Sequence, residues 1–315
     1  YAKGLHQKTV RFYVRKLRLL NKRNEKVTYQ MSSGDALQNG SDDSQKYNKI
    51  LSINNNVSTY TSILERIQSS ESYNKNSDKS VASMKTSMEN IIGLLNEAVT
   101  DTTTSDGKSA IADEIESEMD TIFSLANTKI DGQYLFSGKS TTVEPFVKDA
   151  TTGKITYVAT NDNKTVNVED NNYATQGVNG NELFYYTDKT TSTQVSVFDD
   201  LNEIVNALNL KDSSGNTITQ DAADTILSNA IDKLDSGYDA MNLAHSKLGT
   251  RTASINNYES IVQTKLTNFT ILQEEYASAD LTSLAIESQA LENTYTALYS
   301  TINKVNSLSL VKYLK

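Results

Sequence analysis

The side chains best suited to catalysis or metal binding are scarce in this chain. Its 315 residues include two histidines, His6 and His245, and no cysteine. Without cysteine there is no thiol nucleophile, no disulfide and no zinc–thiolate or iron–sulfur site. Two histidines so far apart in sequence also offer little for a histidine-based metal site or a catalytic triad.

Carboxylates are the remaining candidates for chemistry. Asp42-Asp43 and Glu274-Glu275 are adjacent acids of the kind that a general acid–base dyad could use, but such pairs on a helix are far more common as solvated surface. The segment 212–216 resembles a calcium loop, yet its glycine comes two places early and no glutamate follows at the twelfth position. No phosphate loop, dinucleotide fingerprint, nucleophile elbow or zinc-protease motif is present. We therefore expect no enzyme activity, no catalytic residue, no cofactor and no metal.

Charge is unevenly distributed along the chain. The first thirty residues contain nine Lys or Arg and one acid, Glu25, which gives +8, so the rest must sum to −17 for a total of −9. A basic segment on an acidic body could bind nucleic acid, an anionic membrane or an acidic partner, and it could equally be a solvated helix face in an assembly. The mean hydropathy is −0.49, and no apolar run reaches the roughly eighteen residues of a membrane-spanning helix.

Apolar residues recur at intervals of three and four near both ends of the chain. This spacing runs from Val10 to Met31, resumes from Ile50 to Ala98 with an interruption around Asn74, and returns in residues 111–126. It predicts helices that pack along other helices with knobs in holes. His245 lies at such a core position, where we expect it to be packed and hydrogen-bonded. Asn24 also lies at a core position, where it either sets register or remains exposed.

The C-terminal part repeats the pattern. Heptads run almost unbroken from Leu227 to Tyr276, which predicts one helix over residues 221–278 that is roughly 87 Å long at about 1.5 Å per residue. A new helix is expected to start after Asp280, whose side chain suits an N-cap. Its seam continues from Leu284 to Val305.

Residues 141–200 lose the helical spacing and become rich in Thr, Asn, Asp, Gly, Val and Tyr. The alternating runs 154–159 and 164–168 flank Asn161-Asp-Asn163, which predicts a hairpin formed by these two runs. A further strand is predicted at 183–186. The fold class is therefore mainly α with a small β-rich insert, in which long N- and C-terminal helices pack as a coiled-coil-like rod.

Four strings carry a resemblance to a known family. The first is Met31-Ser-Ser-Gly34 followed by Gly40-Ser41-Asp42-Asp43, and the second is the segment from Asn127 to Gly138. The other two are Ala279-Asp280-Leu281 and the ending Leu308-Ser-Leu-Val-Lys-Tyr-Leu314. In this order they resemble motifs of the flagellin superfamily, and most of all those of the hook-associated protein 3 family of the hook–filament junction. The motif residues that match are Gly34, Ser41, Asp42, Asp43, Asn127, Gly132, Tyr134, Phe136, Gly138 and Asp280.

The resemblance implies a division of the chain. Residues 1–42 and 279–315 would be terminal assembly helices that form an inner layer and fold only on assembly. Residues 43–140 and 201–278 would form a helical rod domain, and 141–200 an outward β-rich domain. The implied assembly interface comprises Leu17, Leu20, Asn24, Val27, Leu291, Tyr295, Leu298, Ile302, Val305 and Leu308. Asp42 or Asp43 would cap the helix that follows the Gly34 turn.

The resemblance also implies a function. The chain would be a structural adaptor of the bacterial flagellum, exported by the flagellar type III apparatus and located outside the cell between hook and filament. Its partners would be further copies of itself, hook-associated protein 1, flagellin and a cytoplasmic export chaperone on the C-terminal helix around residues 291–310, with no nucleic acid and no membrane. Flagellin itself is the alternative, and a nucleic-acid or membrane binder acting through residues 1–30 is a third reading.

Overall fold

The structure is a computed structural model that describes residues 2–100, 103–169 and 171–313, with the side chains of 7–305 within these ranges. Seven helices account for most of the described residues, and a mainly helical chain is what the sequence predicts. They are α1 (Ala2–Ser33), α2 (Ser44–Ala98), α3 (Ser105–Ala126), α4 (Gly180–Phe184), α5 (Val197–Leu208), α6 (Gln220–Ala277) and α7 (Leu281–Tyr313). The fold class is thus mainly α with a small β insert.

The strands form four separate antiparallel pairs. They are β1 (Lys129–Ile130) with β2 (Gln133–Tyr134), β3 (Phe146–Lys148) with β4 (Ile155–Tyr157), β5 (Lys164–Glu169) with β6 (Asn172–Gln176), and β7 (Tyr185–Thr187) with β8 (Gln194–Ser196). The predicted hairpin between 154–159 and 164–168 is wrong, because each run pairs with a different neighbour in sequence. The predicted strand at 183–186 is wrong at its start, since Leu183 and Phe184 belong to α4 and only Tyr185 and Tyr186 are extended.

Helix α6 follows its predicted seam throughout. Leu227, Leu234, Met241, Leu248, Ile255 and Val262 are all buried, and the alternate seam positions are half-buried. On α2 the seam does not stop where the apolar pattern falters, because Ser70, Tyr73, Asn74 and Ser77 are buried there. The knobs-in-holes spacing is therefore kept across a layer that is polar rather than apolar.

The described residues divide into two compact units, one drawn from 1–61 and 264–315 and one from 62–263. The second unit contains a continuous core in which α2, α3, α5 and α6 bury their apolar faces together with the strand pairs. Four phenylalanines, Phe136, Phe146, Phe184 and Phe198, are fully buried in this core. The rings of Phe146, Phe184 and Phe198 lie 4.8–5.4 Å apart between centroids, so aromatic packing adds to the area that they remove from water.

A polar layer in the second unit joins the helices to the β insert. Asn74 donates from Nδ2 to Thr252 Oγ1 of α6 at 3.1 Å and accepts from the Gly177 amide at 2.8 Å. Arg251 of α6 donates to the Gly177 carbonyl at 2.7 Å and to both carboxylate oxygens of Glu182 at 2.9 and 3.0 Å. Burial alone raises the pKa of Glu182, but the hydrogen bonds from Arg251 and Asn163 outweigh it and hold that pKa at about 2.

Asp200 is a carboxylate with little access to water. Its side chain is 3% exposed and accepts a hydrogen bond of 2.8 Å from the Tyr186 hydroxyl, while the Lys233 ammonium lies 3.8 Å away and binds Glu203 more closely. Burial raises the pKa of Asp200 to about 6, and the Tyr186 hydrogen bond and Lys233 only partly offset this effect. Asp200 therefore binds a proton more tightly in the folded chain than in the unfolded chain.

This difference in pKa predicts a pH dependence of stability. As pH rises from about 4 to 6, the unfolded chain loses the Asp200 proton first, so the free energy of unfolding falls by up to about 3 kcal/mol from this group. Asp200→Asn is expected to remove this contribution, making the variant more stable than the parent at pH 7 but not at pH 4. Denaturant unfolding at several pH values measures the difference between the two chains.

The matched control is Asp199→Asn, because Asp199 is a neighbour on the same helix whose carboxylate faces Lys154 at the surface. It should leave most of the pH-dependent difference in place, because burial raises the pKa of Asp200 more than the Asp199 charge does. If Asp200→Asn and its parent keep a constant difference between pH 4 and 7, the assignment to Asp200 is wrong.

Candidate assembly interface

The terminal helices α1 and α7 pack against each other within the first unit. Arg23 forms an ion pair with Glu287, and the Tyr295 hydroxyl donates to Asn21 Oδ1 at 2.7 Å. Residue numbers fall along α1 as they rise along α7, so the pair is antiparallel. The predicted seams of the two helices therefore meet within one chain.

The core between α1 and α7 is thin. Its buried members are Val27, Leu284 and Leu291, and Leu20 and Tyr295 pack beside them half-buried. Of the other predicted interface residues, Leu17, Leu298, Ile302 and Val305 are half-buried, and Leu308 lies outside the described side chains. Asn24 is exposed, so in the single chain it sits in no packed layer that could set register.

Large apolar side chains remain open to solvent on this helix pair. Those at least 43% exposed are Val10, Phe12, Val14, Leu19, Met31, Leu281, Ile286 and Tyr299. A groove of about 490 Å³ runs between the helices, with Phe12, Leu19 and Leu20 on one side and Ala297 and Leu298 on the other. Phe12 and Leu19 border this groove and are exposed, and an exposed apolar groove of this kind is typical of a protein–protein contact.

Two of the family-like strings meet at one junction. The backbone of 34–36 pairs with that of 277–279, through Ala36 N–H to the Ala277 carbonyl at 2.7 Å and Ala279 N–H to the Gly34 carbonyl at 2.8 Å. Gly34 ends α1 at φ +78°, in the left-handed region that glycine adopts without a Cβ clash. The end of α1 and the start of α7 are thereby tied to each other.

Aspartates begin the helices on either side of this junction. Asp43 accepts from the Lys46 amide at 2.9 Å and so caps α2, one of the two residues that the sequence proposes for this role. Asp280 accepts from the amides of Thr282 and Ser283 at 3.0 and 3.1 Å and caps α7, as predicted. Asp42 accepts from the Asn39 amide, which together with Lys26 at 3.7 Å lowers its pKa, while Ser41 is exposed.

The string from Asn127 to Gly138 connects α3 to the β insert. Asn127 exchanges two hydrogen bonds with the backbone of Phe146, at 2.8 and 3.0 Å. Gly132 has φ +78° in the tight β1–β2 turn, and Gly138 approaches the carbonyls of 160 and 162 so closely that a Cβ would lie 2.4–2.5 Å from them. Phe136 is fully buried, and Tyr134 is half-buried beneath the Lys129 ammonium. These residues therefore shape the chain where α3 passes into the β insert.

Sequence reasoning missed the residues of the polar layer. Tyr73 donates from its buried hydroxyl to the Leu135 carbonyl at 2.7 Å, next to Asn74 and Arg251. One signal could have found this layer: Asn179 is followed three residues later by Glu182, the spacing of a capping box, and the structure contains that box. A second signal was Asn74 itself, since a polar residue at a seam position needs a partner. His245, predicted to be packed and hydrogen-bonded, lies 2.8 Å from Asp78 through Nε2.

No group of three or more His, Asp or Glu side chains that could hold a metal occurs among the described residues. No described helix combines the length and hydrophobicity needed to cross a membrane.

The geometry of Gly34 predicts how substitutions affect the junction. A Cβ at Gly34 would meet no atom within 4 Å, so Gly34→Ala introduces only backbone strain, about 1 kcal/mol, and should speed amide hydrogen exchange in α1 several-fold. Gly34→Asn should recover part of the loss, because asparagine tolerates φ > 0.

Gly93→Ala is a control in which the same substitution should stabilise a helix instead of destabilising it. Gly93 lies inside α2 with open space around it and no positive φ, so alanine should stabilise that helix by roughly 0.5–1 kcal/mol. Equal exchange in α1 for the parent and Gly34→Ala would contradict the role assigned to Gly34.

Comparison with known proteins gives matches to solved structures alone. No protein-family model matches the chain, and no curated protein does. The chain is similar to flagellar hook-associated protein 3 from Legionella pneumophila, with 12% identity and a TM-score of 0.61 over 72% of this chain and 98% of that one. It is also similar to FlgL from Xanthomonas campestris, with 16% identity and a TM-score of 0.59 over 69% and 98% of the two chains.

A third structure, the flagellar junction protein FlgL from Legionella pneumophila, matches at 12% identity with a TM-score of 0.56, covering 66% of this chain and 99% of that one. All three align over nearly their whole length at low sequence identity, so the similarity is one of fold. The chain described here therefore has the fold of the flagellar hook-associated protein 3 structures.

Proposed function

We propose that the chain is a structural adaptor of the bacterial flagellum that joins the hook, through hook-associated protein 1, to the flagellin filament. The observation that carries the proposal is the unfilled apolar surface of α1 and α7, on a chain with the fold of the hook-associated protein 3 structures. Long isolated helices are marginal in water, and much of their stability comes from packing an apolar face. Neighbouring subunits would supply that packing.

We assign each part of the proposed function to a segment of the chain. Residues 1–42 and 279–315 form the inner assembly layer, 43–140 and 201–278 the rod domain, and 141–200 the outward β domain. The partners are further copies of the chain, hook-associated protein 1 and flagellin, and the location is the junction outside the cell after type III export. Packing of the apolar seams in a fixed helix register would hold the subunits together, without bond-making chemistry.

A filament subunit is the second candidate, because flagellins share the same helix–β–helix plan. The resemblance of the Asn127–Gly138 string and of the chain ending to the junction family favours the adaptor, as does the small size of the β insert. The two functions differ in where the protein lies along the flagellum, so position is the property to measure.

Immunogold electron microscopy of intact cells, with an antibody against residues 141–200, tests the proposal. Gold at a single spot between hook and filament is the expected result. Gold along the filament would make the chain a flagellin, and no flagellar label would contradict both functions. An antibody against residues 105–126 of the same chain serves as a control for epitope access.

We further propose that a cytoplasmic export chaperone holds the C-terminal helix around residues 291–310. Among the described residues, its seam residues Leu291, Tyr295 and Leu298 lie against α1, the other terminal helix, and Tyr295 and Leu298 remain half-buried there. Deleting 279–315 is expected to abolish co-purification with the chaperone, whereas deleting 141–200 should leave it intact. Unchanged binding after loss of 279–315 would refute this part of the proposal.

A further inference from the structure

Helix α1 carries a regular basic stripe on its outer face. Lys8, Arg11, Arg15, Arg18 and Lys22 are spaced by three, four, three and four residues, so they share one side of the helix over about 21 Å. All five side chains are exposed, and none forms an ion pair within the part of the chain that the structure describes. We call these five residues the basic stripe.

The basic stripe lies away from the contact with α7. The seam residues Tyr13, Leu20 and Val27 face that helix, whereas the stripe is offset from them by about half a turn. Two cations of α1 outside the stripe form ion pairs: Arg23 binds Glu287, and Lys26 binds Asp42. The stripe therefore remains free for a partner outside the α1–α7 pair.

Helix α3 carries an acidic ladder with the same spacing. Its positions 106, 109, 113, 116 and 120 follow intervals of three and four over about 21 Å, and four of them are exposed acids: Asp106, Asp113, Glu116 and Asp120. Only Asp120 has an ion-pair partner in the described chain, Lys148 at 2.7 Å. Ser109 occupies the remaining position. We call this set the acidic ladder; α3 as a whole has six acids and one lysine.

We propose that the basic stripe of one copy docks on the acidic ladder of a second copy. The two surfaces have the same three–four spacing and the same length, and they carry opposite charges, so the stripe of one helix can lie along the ladder of another. The contact requires only a second copy of the chain, so it does not depend on the flagellar role.

A polyanion such as DNA or an anionic membrane would also attract the stripe, but it fits the rest of the molecule less well. Residues 31–315 sum to −17, which repels a polyanion and attracts the stripe of another copy. On a membrane-binding amphipathic helix the apolar face enters the lipid. Here the centre of that face is occupied by α7, and the stripe points the other way.

A charge swap on the full-length chain tests the contact. The first variant carries Arg11→Glu, Arg15→Glu and Arg18→Glu, and the second carries Asp113→Lys and Glu116→Lys. Sedimentation velocity at about 50 mM and about 500 mM salt should show that the parent self-associates, that high salt weakens the association, and that each variant alone associates at least about tenfold more weakly. Mixing the two variants should restore a heteromeric complex.

The mixture separates a loss of the contact from a loss of folding. A misfolded variant would not associate with the other variant, so a restored complex shows that both variants are folded. Asp232→Lys with Asp235→Lys on α6 is the matched control: both acids are exposed and lie outside the ladder, so self-association should persist. Association through the exposed apolar surface of α1 and α7 would strengthen rather than weaken with a salting-out salt such as sulfate, which distinguishes it from the stripe contact.

Three results would overturn the proposal: a monomeric parent at low salt, undiminished association of the Arg variant, or a mixture without rescue. Binding of duplex DNA or of vesicles with anionic lipid by the parent and not by the Arg variant, with self-association unchanged, would assign the stripe to a polyanion instead. None of these results changes the outcome expected from immunogold labelling, so the adaptor function and the stripe contact are tested independently.

Discussion

Hydrogen bonding from the long helices to the backbone of the β insert is the constraint on which the second unit depends. Buried amides and carbonyls must find partners, and in four isolated two-stranded pairs many lack one on a neighbouring strand. Where the chain leaves β2 and β6, Tyr73 and Asn74 on α2 and Arg251 on α6 supply partners for the backbone of Leu135 and Gly177. Because the same layer links Asn74 to Thr252, a slip of one heptad between α2 and α6 would leave the Gly177 amide unpaired, at a cost of about 1–3 kcal/mol.

Much of the helical architecture follows from sequence because its cause is local and periodic. The three–four repeat located α2 and α6, the capping aspartate Asp280 located the start of α7, and the buried face of α6 is the predicted one. The tie between the Gly34 and Ala279 strings was not predicted from sequence. Residues more than 240 positions apart meet there through backbone atoms, which leave no pattern in side-chain chemistry.

The β insert was harder to predict because short strands carry little information. The run at 164–168 alternates as a strand should, but its partner is set by the nearest tight turn, so it pairs with residues 172–176 rather than with 155–157. The composition around Leu183 and Phe184 predicts a strand, but the Asn179–Glu182 capping box starts a helical turn there. Asn24 shows that helical periodicity can also mislead. Its spacing predicts a core position, but the side chain is exposed because no other part of the described chain covers it.

The pairing of 34–36 with 277–279 also bears on the order in which the chain folds. It closes a loop of more than 240 residues, so the entropy of bringing its ends together is lost before the contact stabilises anything. The three-residue contact is too small to offset that loss alone. The second unit contains four strand pairs that each join consecutive strands. It can form first and shorten the loop by bringing α2 and α6 together. Helices α1 and α7 would then be the last elements to become ordered, and the first to be released when the chain unfolds.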